Sequence, residues 1–287
     1  MKNTKALFFT LWTAGIMLCV LVSIIALLFS ACGKTEDEPK NDTPFNIETE
    51  QPEDPANTQG DPNDPDTPDD PEPSAPTVPT RLGQTPDAGR GYLDKITFLG
   101  DSTTYGIGYY YGLGYTDLCP PSQIWTPASG TLTLSLHNVA TIVYPETGEE
   151  LSIVDAVTRA KPEILMITLG VNGVSFMDES AFIQAYTELV HNVQEASPNT
   201  KIILNSIYPV ATNYQFLNQI NNEKIRAANG WVERIAEDTG CRFLYSYEAV
   251  VGEDGNLPQS SQNGDGLHLT GEAFAVVMNY IRTHAYQ

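Results

Sequence analysis

The stretch ITFLGDS, residues 96–102, contains a short apolar run that stops at glycine, aspartate and serine. An apolar run that ends at glycine predicts a buried strand followed by a sharp turn. A serine on such a turn, here Ser102, is expected at the carboxyl edge of a sheet, where open α/β folds place their ligand crevice. The tripeptide alone is weak evidence, because Gly, Asp and Ser also form ordinary turns.

Two further segments supply residues that could activate a serine nucleophile and stabilise an oxyanion. Residues 164–173 (ILMITLGVNG) predict a second buried strand, with Asn172 just past its end, and residues 263–268 (NGDGLH) place Asp265 and His268 three residues apart. A serine hydroxyl becomes a nucleophile when an imidazole takes its proton and a carboxylate fixes the imidazole tautomer. An asparagine amide can stabilise the oxyanion that forms during acyl transfer. The three segments together therefore predict acyl-transfer chemistry.

In these segments the chain resembles the SGNH (GDSL-type) hydrolase family. Its first block matches residues 100–102 (GDS), and its last block, Asp-x-x-His, matches residues 265–268. The third block, usually Gly-x-Asn-Asp, matches residues 170–173 (GVNG), where glycine replaces the usual aspartate. The second block is a lone glycine, which we assign to Gly130 with Gly114 as the alternative. The resemblance spans about residues 92–287.

The resemblance implies a catalytic triad of Ser102, Asp265 and His268. It also implies an oxyanion hole formed by Ser102, Gly130 and Asn172. Asp101, between the glycine and the serine, is expected to have a structural role in the turn. No cofactor is expected, and no cysteine or histidine spacing predicts a metal site.

The periodicity along the domain predicts an α/β fold. Strand candidates and helical apolar spacing alternate, which favours a mostly parallel sheet with helices on both faces. The family resemblance implies a three-layer α/β/α fold with a flavodoxin-like sheet. Strands are predicted at residues 95–99, 140–144, 164–169, 201–206 and 242–246, and helical patterns at 182–193, 225–235 and after Thr270.

Aromatic residues are frequent after Ser102. Tyrosine offers a flat apolar face that suits a sugar ring, together with a polar tip. Tyr109 and Tyr110, in the run of residues 105–115 (YGIGYYYGLGY), are therefore candidate substrate contacts. Trp125, close in sequence to Gly130, is a candidate second wall of the pocket. The alternative is that these rings pack the first helix and the core.

The N-terminus predicts export. Lys2 and Lys5 precede a chargeless and mostly apolar stretch over residues 6–31. Residues 28–32 (LFSAC) resemble a bacterial lipobox, in which Cys32 would be lipidated and become the mature N-terminus. The alternative is an uncleaved anchor, because about 20 apolar residues span a bilayer. Both interpretations predict attachment to the cell membrane, with the remaining chain outside the cytoplasm.

Residues 33–91 are predicted to form a linker between this segment and a catalytic domain at 92–287. Residues 33–80 contain 11 of the 20 prolines, and 14 acidic residues against two lysines. Such a composition cannot bury enough apolar surface to fold, and its proline content and charge favour an extended chain.

The net charge bears on the possible binding partners, and the cysteine count bears on disulfide formation. A formal net charge of −21 argues against nucleic acid, whose binding needs basic patches. Outside the N-terminal segment, only Cys119 and Cys241 remain, and they form either a disulfide or two buried thiols.

The sequence therefore predicts a monomeric, surface-anchored esterase that removes small acyl groups, above all acetyl, from a carbohydrate. Its substrate would be a small-molecule or polysaccharide ester. A lipase-like hydrolase of acyl esters or (lyso)phospholipids is one alternative. A non-catalytic binding lipoprotein that keeps the fold is another.

Overall fold

A five-stranded parallel sheet forms the centre of the computed structural model, which describes residues 79–287. The strands lie in the order β2-β1-β5-β6-β7, and every neighbouring pair is parallel. Counted within the sheet alone, this order is 2-1-3-4-5, which is the flavodoxin-like order. The strands are β1 (Ile96–Gly100), β2 (Ile124–Trp125), β5 (Ile164–Thr168), β6 (Lys201–Asn205) and β7 (Arg242–Leu244).

Helices cover both faces of the sheet, so all five residues of β5 are buried. Alternate side chains point to opposite faces of a strand, and in β1 Phe98 and Leu99 accordingly belong to two separate core clusters. The three-layer α/β/α expectation is thus confirmed. The helices are α1 (Arg90–Leu93), α2 (Ser102–Gly112), α3 (Ile153–Ala160), α4 (Glu179–Ala196), α5 (Asn222–Asp238), α6 (Tyr247–Val250) and α7 (Gly271–Thr283).

The strand predicted at residues 140–144 does not belong to the central sheet. The segment at 140–144 contains β3 (Thr141–Val143), which pairs antiparallel with β4 (Glu150–Ser152) in a separate hairpin. Only the central residue of β3 is fully buried, a pattern typical of a strand that packs on one face. The outer position in the parallel sheet is taken by β2, whose two residues are too few to produce a periodic signal.

The folded unit begins earlier than the predicted boundary at residue 92. The Leu82 amide donates to Phe243 O (2.8 Å), and the Phe243 amide donates to Thr80 O (2.9 Å). Arg81 forms a parallel bridge with Phe243, and its guanidinium lies 4.7 Å from the Tyr245 ring centre. Through these contacts, the backbone of residues 80–82 pairs with the outer edge of β7. Because the bridge is parallel, the chain enters the fold at the amino edge of the sheet, opposite Ser102.

The two remaining cysteines are free and buried. Cys119 packs in the core cluster that contains Phe98, whereas Cys241 packs in the cluster that contains Leu99, on the other face of the sheet. Burial raises the pKa of the Cys119 thiol to about 12, which keeps it protonated and unreactive. The disulfide alternative is therefore wrong for this fold.

Within residues 79–287, no helix is long and apolar enough to cross a membrane. The predicted export segment, Cys32 and the linker as far as residue 78 lie outside the described residues.

Candidate active site

Ser102 is the first residue of α2 and follows β1 after one residue. A Cβ atom at Gly100 would lie 2.6 Å from Thr168 O on β5, so only glycine fits where the strand turns into the helix. Asp101 caps the helix, because its Oδ1 accepts hydrogen bonds from the Thr103 amide (2.9 Å) and hydroxyl (2.8 Å). The turn therefore holds Ser102 at the carboxyl edge of the sheet.

Asp101 has the structural role expected of it. The residue is 1 % exposed, and burial raises the pKa of its carboxyl group against the lowering effect of the Thr103 hydrogen bonds. Both of these hydrogen bonds hold Asp101 at the helix terminus, and the partner of His268 Nδ1 is Asp265.

Ser102, His268 and Asp265 form an unbroken chain of hydrogen bonds. His268 Nε2 lies 2.8 Å from Ser102 Oγ, and His268 Nδ1 lies 2.6 Å from Asp265 Oδ2. This geometry suits the tautomer that carries its proton on Nδ1, which leaves Nε2 free to accept the serine proton. The structure thus brings together three residues that are separated by up to 166 positions.

Asp265 is held as a carboxylate by its own loop. Its Oδ1 accepts hydrogen bonds from the backbone amides of Leu267 (2.8 Å) and His268 (2.9 Å). Burial acts to raise the pKa of Asp265, but the hydrogen bonds from His268 and from the Leu267 amide outweigh it, and the pKa lies below its ordinary value. Asp265 is therefore ionised at neutral pH and can orient the imidazole.

The residues around Asp265 explain the Gly-rich sequence of its loop. Gly264 and Gly266 both have positive φ, at 117° and 82°, a region that glycine enters without steric cost. Gln262 Oε1 accepts hydrogen bonds from the amides of Gly264 (2.6 Å) and Gly266 (2.9 Å), which fixes the backbone on both sides of Asp265.

Asn172 lies in the tight turn after β5. The Gly173 amide donates to Gly170 O (2.8 Å), and Gly170 has a φ of 128°. A Cβ atom at Gly173 would lie 3.0 Å from Met177 Sδ, so this loop closes compactly without the aspartate that the family usually has. Asn172 Nδ2 donates to Leu132 O (3.3 Å), and an amide NH₂ has a second hydrogen to offer.

Gly130 lies in the neighbouring loop, close to α2. Its φ is 72°, and a Cβ atom there would lie 3.8 Å from the Tyr105 ring. The Gly130 amide donates to Pro127 O (2.8 Å), so any oxyanion would have to share this hydrogen. The alternative, Gly114, follows the far end of α2, about 18 Å along the helix from Ser102 at 1.5 Å per residue, and is excluded by that distance.

The aromatic residues predicted as substrate contacts separate into two groups. Trp125 is 3 % exposed and packs in the core, 6.0 Å from the Tyr144 ring. A buried ring cannot stack on a substrate, so the expectation that Trp125 forms a pocket wall is wrong. Tyr109 and Tyr110 are both partly buried, with ring centres 5.3 Å apart, and Tyr110 packs against Phe274 (6.1 Å between ring centres).

The sequence-based assignments leave out Tyr105, which lies on α2, and Tyr214 and Phe216, which lie on the segment after β6. Tyr105 follows Ser102 by one helical turn, so the i, i+3 spacing could have identified it. Tyr214 and Phe216 lie between β6 and α5, and their ring centres are 5.8 Å apart. No sequence signal identifies these two, because their position depends on how one loop packs on another.

The described residues, 79–287, contain no group of three or more His, Cys, Asp or Glu side chains that could hold a metal ion. The chemistry that the site offers is therefore described by the serine, the imidazole, the carboxylate and the neighbouring amides.

The structure resembles several solved ones. A protein from Streptococcus pneumonia described as a candidate platelet activating factor is 16 % identical and has a TM-score of 0.50, over 67 % of this chain and 84 % of that one. A GDSL-like lipase from Bacteroides thetaiotaomicron is 19 % identical, with a TM-score of 0.47 over 66 % and 87 % of the two chains. An acetyl-xylooligosaccharide esterase mutant from Geobacillus is 17 % identical, with a TM-score of 0.40 over 67 % and 94 %.

No curated protein matches this chain. The model of the GDSL-like lipase/acylhydrolase family matches residues 98–276, which is more than half of the chain and includes all three members of the hydrogen-bonded triad. The chain therefore belongs to the GDSL-like lipase/acylhydrolase (SGNH) family and is an enzyme that hydrolyses ester bonds.

Proposed function

We propose that this enzyme is a surface-anchored serine esterase that removes small acyl groups, above all acetyl, from a carbohydrate. The observation that carries the catalytic part is the hydrogen-bonded chain from Ser102 through His268 to Asp265. In this proposal Ser102 is the nucleophile, His268 is the general base and acid, and Asp265 orients the imidazole.

The reaction has two halves. His268 Nε2 takes the Ser102 proton as Oγ bonds to the ester carbonyl carbon, and the carbonyl oxygen becomes an oxyanion. The protonated imidazole then gives that proton to the leaving oxygen of the carrier, the ester C–O bond breaks, and the acyl group remains on Ser102. In the second half, His268 takes a proton from water, whose oxygen attacks the acyl carbon. The imidazole returns the proton to Ser102 Oγ as the carboxylic acid leaves.

Three donors face the position of the oxyanion in this proposal. The first N–H groups of a helix have no intrahelical acceptor, so the Ser102 amide at the start of α2 is available. The second hydrogen of Asn172 Nδ2 is another donor. Gly130 is the third, provided that its hydrogen is shared with Pro127 O.

Neighbouring residues occupy the oxyanion side of Ser102, and this supports a small acyl group. A small cavity lies behind the serine turn and is lined by residues that include Asp101, Thr103 and Leu267, but not by the triad serine and histidine or by Asn172. On the oxyanion side, Tyr105 lies against Gly130, and Leu132 lies against Asn172.

One observation favours a second candidate, a lipase-like acyl-ester hydrolase. Phe176 follows Asn172 by four residues, and 56 % of its surface is exposed. An exposed apolar ring near an oxyanion donor would suit a longer acyl chain lying along the surface.

Surface anchoring rests on the N-terminal sequence. The apolar segment at 6–31 and the residues before Cys32 support lipidation, and the acidic, proline-rich segment after Cys32 supports an extended tether. A tether of this kind suits a target beyond the bilayer better than a lipid within it.

The first prediction concerns the triad. Ser102→Ala and His268→Ala are each expected to lower kcat on p-nitrophenyl acetate by about 10⁴-fold or more, and the double variant should lose little more, because these residues act as a unit. Ser180→Ala, an exposed serine on α4, is the matched control. Circular dichroism would establish that the variants fold. Wild-type turnover by Ser102→Ala would contradict the mechanism.

The second prediction concerns Asn172. If its amide stabilises the oxyanion, Asn172→Ala should lower kcat by about 10²–10³-fold with little change in KM. Asn192→Ala, on α4, serves as the control. An increase in KM alone would instead make Asn172 a substrate-binding or loop residue.

The third prediction concerns the acyl group and its carrier. Acetate release from chemically acetylated xylan and chitooligosaccharides should be detectable. Hydrolysis of p-nitrophenyl acetate should exceed that of the octanoate by about tenfold or more, because a small pocket penalises each added methylene. Preference for the octanoate, with no acetate released from any glycan, would reject this proposal in favour of the lipase-like candidate.

The fourth prediction concerns anchoring. Cys32→Ser should abolish lipidation in a bacterial host and leave either unprocessed precursor or protein released from the membrane. Mass spectrometry of the membrane fraction would distinguish these products. A mature mass and membrane retention equal to those of the wild type, apart from the substituted atom, would favour the uncleaved anchor.

A further inference from the structure

We infer that Tyr214 and Phe216, together named the aromatic rim, bind the sugar ring that carries the ester. The rim lies in the segment between β6 and α5. The assignment of a sugar as its ligand rests on the proposed function, whereas the position of the rim rests on contacts within the fold.

The rim is built directly onto the loop that carries Asp265. The Ala211 amide donates to Gly266 O (2.8 Å), and a Cβ atom at Gly266 would lie 2.7 Å from both N and Cα of Tyr214. Burial raises the pKa of Tyr214 to about 12, with a smaller contribution from the charge of Asp265, so its hydroxyl stays protonated. The rim is therefore attached one residue away from the carboxylate that orients His268.

The mechanism assigns the rim to one side of the ester. The carbonyl oxygen must face Gly130 and Asn172, and the leaving oxygen must face His268, which returns its proton. Within the rim, the backbone of Tyr214 lies against Gly266 in the loop of Asp265 and His268, whereas the Tyr105 ring lies next to Gly130. The carrier of the ester, and not its acyl group, is therefore the part that meets Tyr214 and Phe216.

The chemistry of the rim fits an uncharged sugar ring. Phe216 is 36 % exposed and meets Tyr214 edge to face, which leaves an apolar surface next to a phenol. Exposed amides lie beside it, with Gln259 Nε2 donating to Asn213 Oδ1 (3.0 Å). Residues 211–219 contain no lysine or arginine, and the amino group of Lys224 next to them already donates to Gln219 O (2.9 Å). Because Asp265 is also close by, an uncharged carrier fits this segment better than a phosphorylated or carboxylated one.

Kinetics with a large and a minimal substrate test the rim. For Phe216→Ala, we expect KM for acetylated xylooligosaccharides or chitooligosaccharides to rise about 3–10-fold with kcat nearly unchanged, as loss of one aromatic contact predicts. The ratio of kcat/KM on the glycan to that on p-nitrophenyl acetate should fall by the same factor. Leu113→Ala removes an exposed apolar side chain beyond the far end of α2 and should leave both substrates unaffected.

Two kinetic outcomes would overturn the inference. An equal loss on both substrates would mean that Phe216 only supports the loop of Asp265. A selective loss on p-nitrophenyl octanoate would mean that the rim binds the acyl chain.

A binding experiment distinguishes an error in the sugar-binding role of the rim from an error in the proposed function. Calorimetry with Ser102→Ala and unacetylated xylohexaose, cellohexaose and chitohexaose should show binding to at least one, weakened about threefold or more when Phe216→Ala is added. Binding through Phe216 without acetate release by the wild-type enzyme would reject the deacetylase function and keep the rim. No binding to any of the three, or binding that Phe216→Ala leaves unchanged, would reject the rim, whatever the wild-type enzyme releases.

Discussion

The site depends first on the close approach of β1 and β5 at Gly100. Because a Cβ atom there would collide with the backbone of β5, the chain can turn sharply into α2 only at a glycine. The turn makes Asp101 the helix cap and Ser102 the first helical residue. Its position at the helix start also gives the serine an amide without an intrahelical acceptor and the positive end of the helix dipole. One steric constraint thus positions both the proposed nucleophile and part of its proposed oxyanion site.

A buried polar cluster supports this edge of the sheet from within. Asn205, at the end of β6, donates to Thr168 Oγ1 on β5 (3.1 Å) and to the Tyr208 hydroxyl (3.3 Å). Its Oδ1 accepts a hydrogen bond from Ser246, which follows β7 (2.6 Å). Asn205 is fully buried, and three hydrogen bonds offset the cost of removing its amide from water. The cluster ties together the ends of three strands from which the loops of the site start.

The sequence predicts those features that depend on local pattern. The apolar runs of β1, β5, β6 and β7 identify their strands, and the spacing of Asp265 and His268 identifies the pair that reaches Ser102. It does not predict β2, which has only two residues, or the separate hairpin of β3. It also misplaces Trp125, because a tryptophan that packs in the core and one that contacts a ligand look the same in a sequence. The start of the folded unit is missed for a related reason, since residues 80–82 join the sheet through backbone hydrogen bonds that any sequence can make.

The rim follows from the strand order. Ser102 follows β1, whereas His268 comes after β7, and β5 and β6 separate those two strands in the sheet. Three strand spacings amount to about 14 Å, so the loop with Asp265 and His268 must cross the end of β6 to reach Ser102. The loop passes over the segment after β6, where Gly266 packs against the backbone of Tyr214. In the proposed mechanism, the support for the crossing loop is therefore also the surface next to the leaving oxygen. The proposal therefore assigns the residues after β1 and β5 to the acyl group, and those after β6 to its carrier.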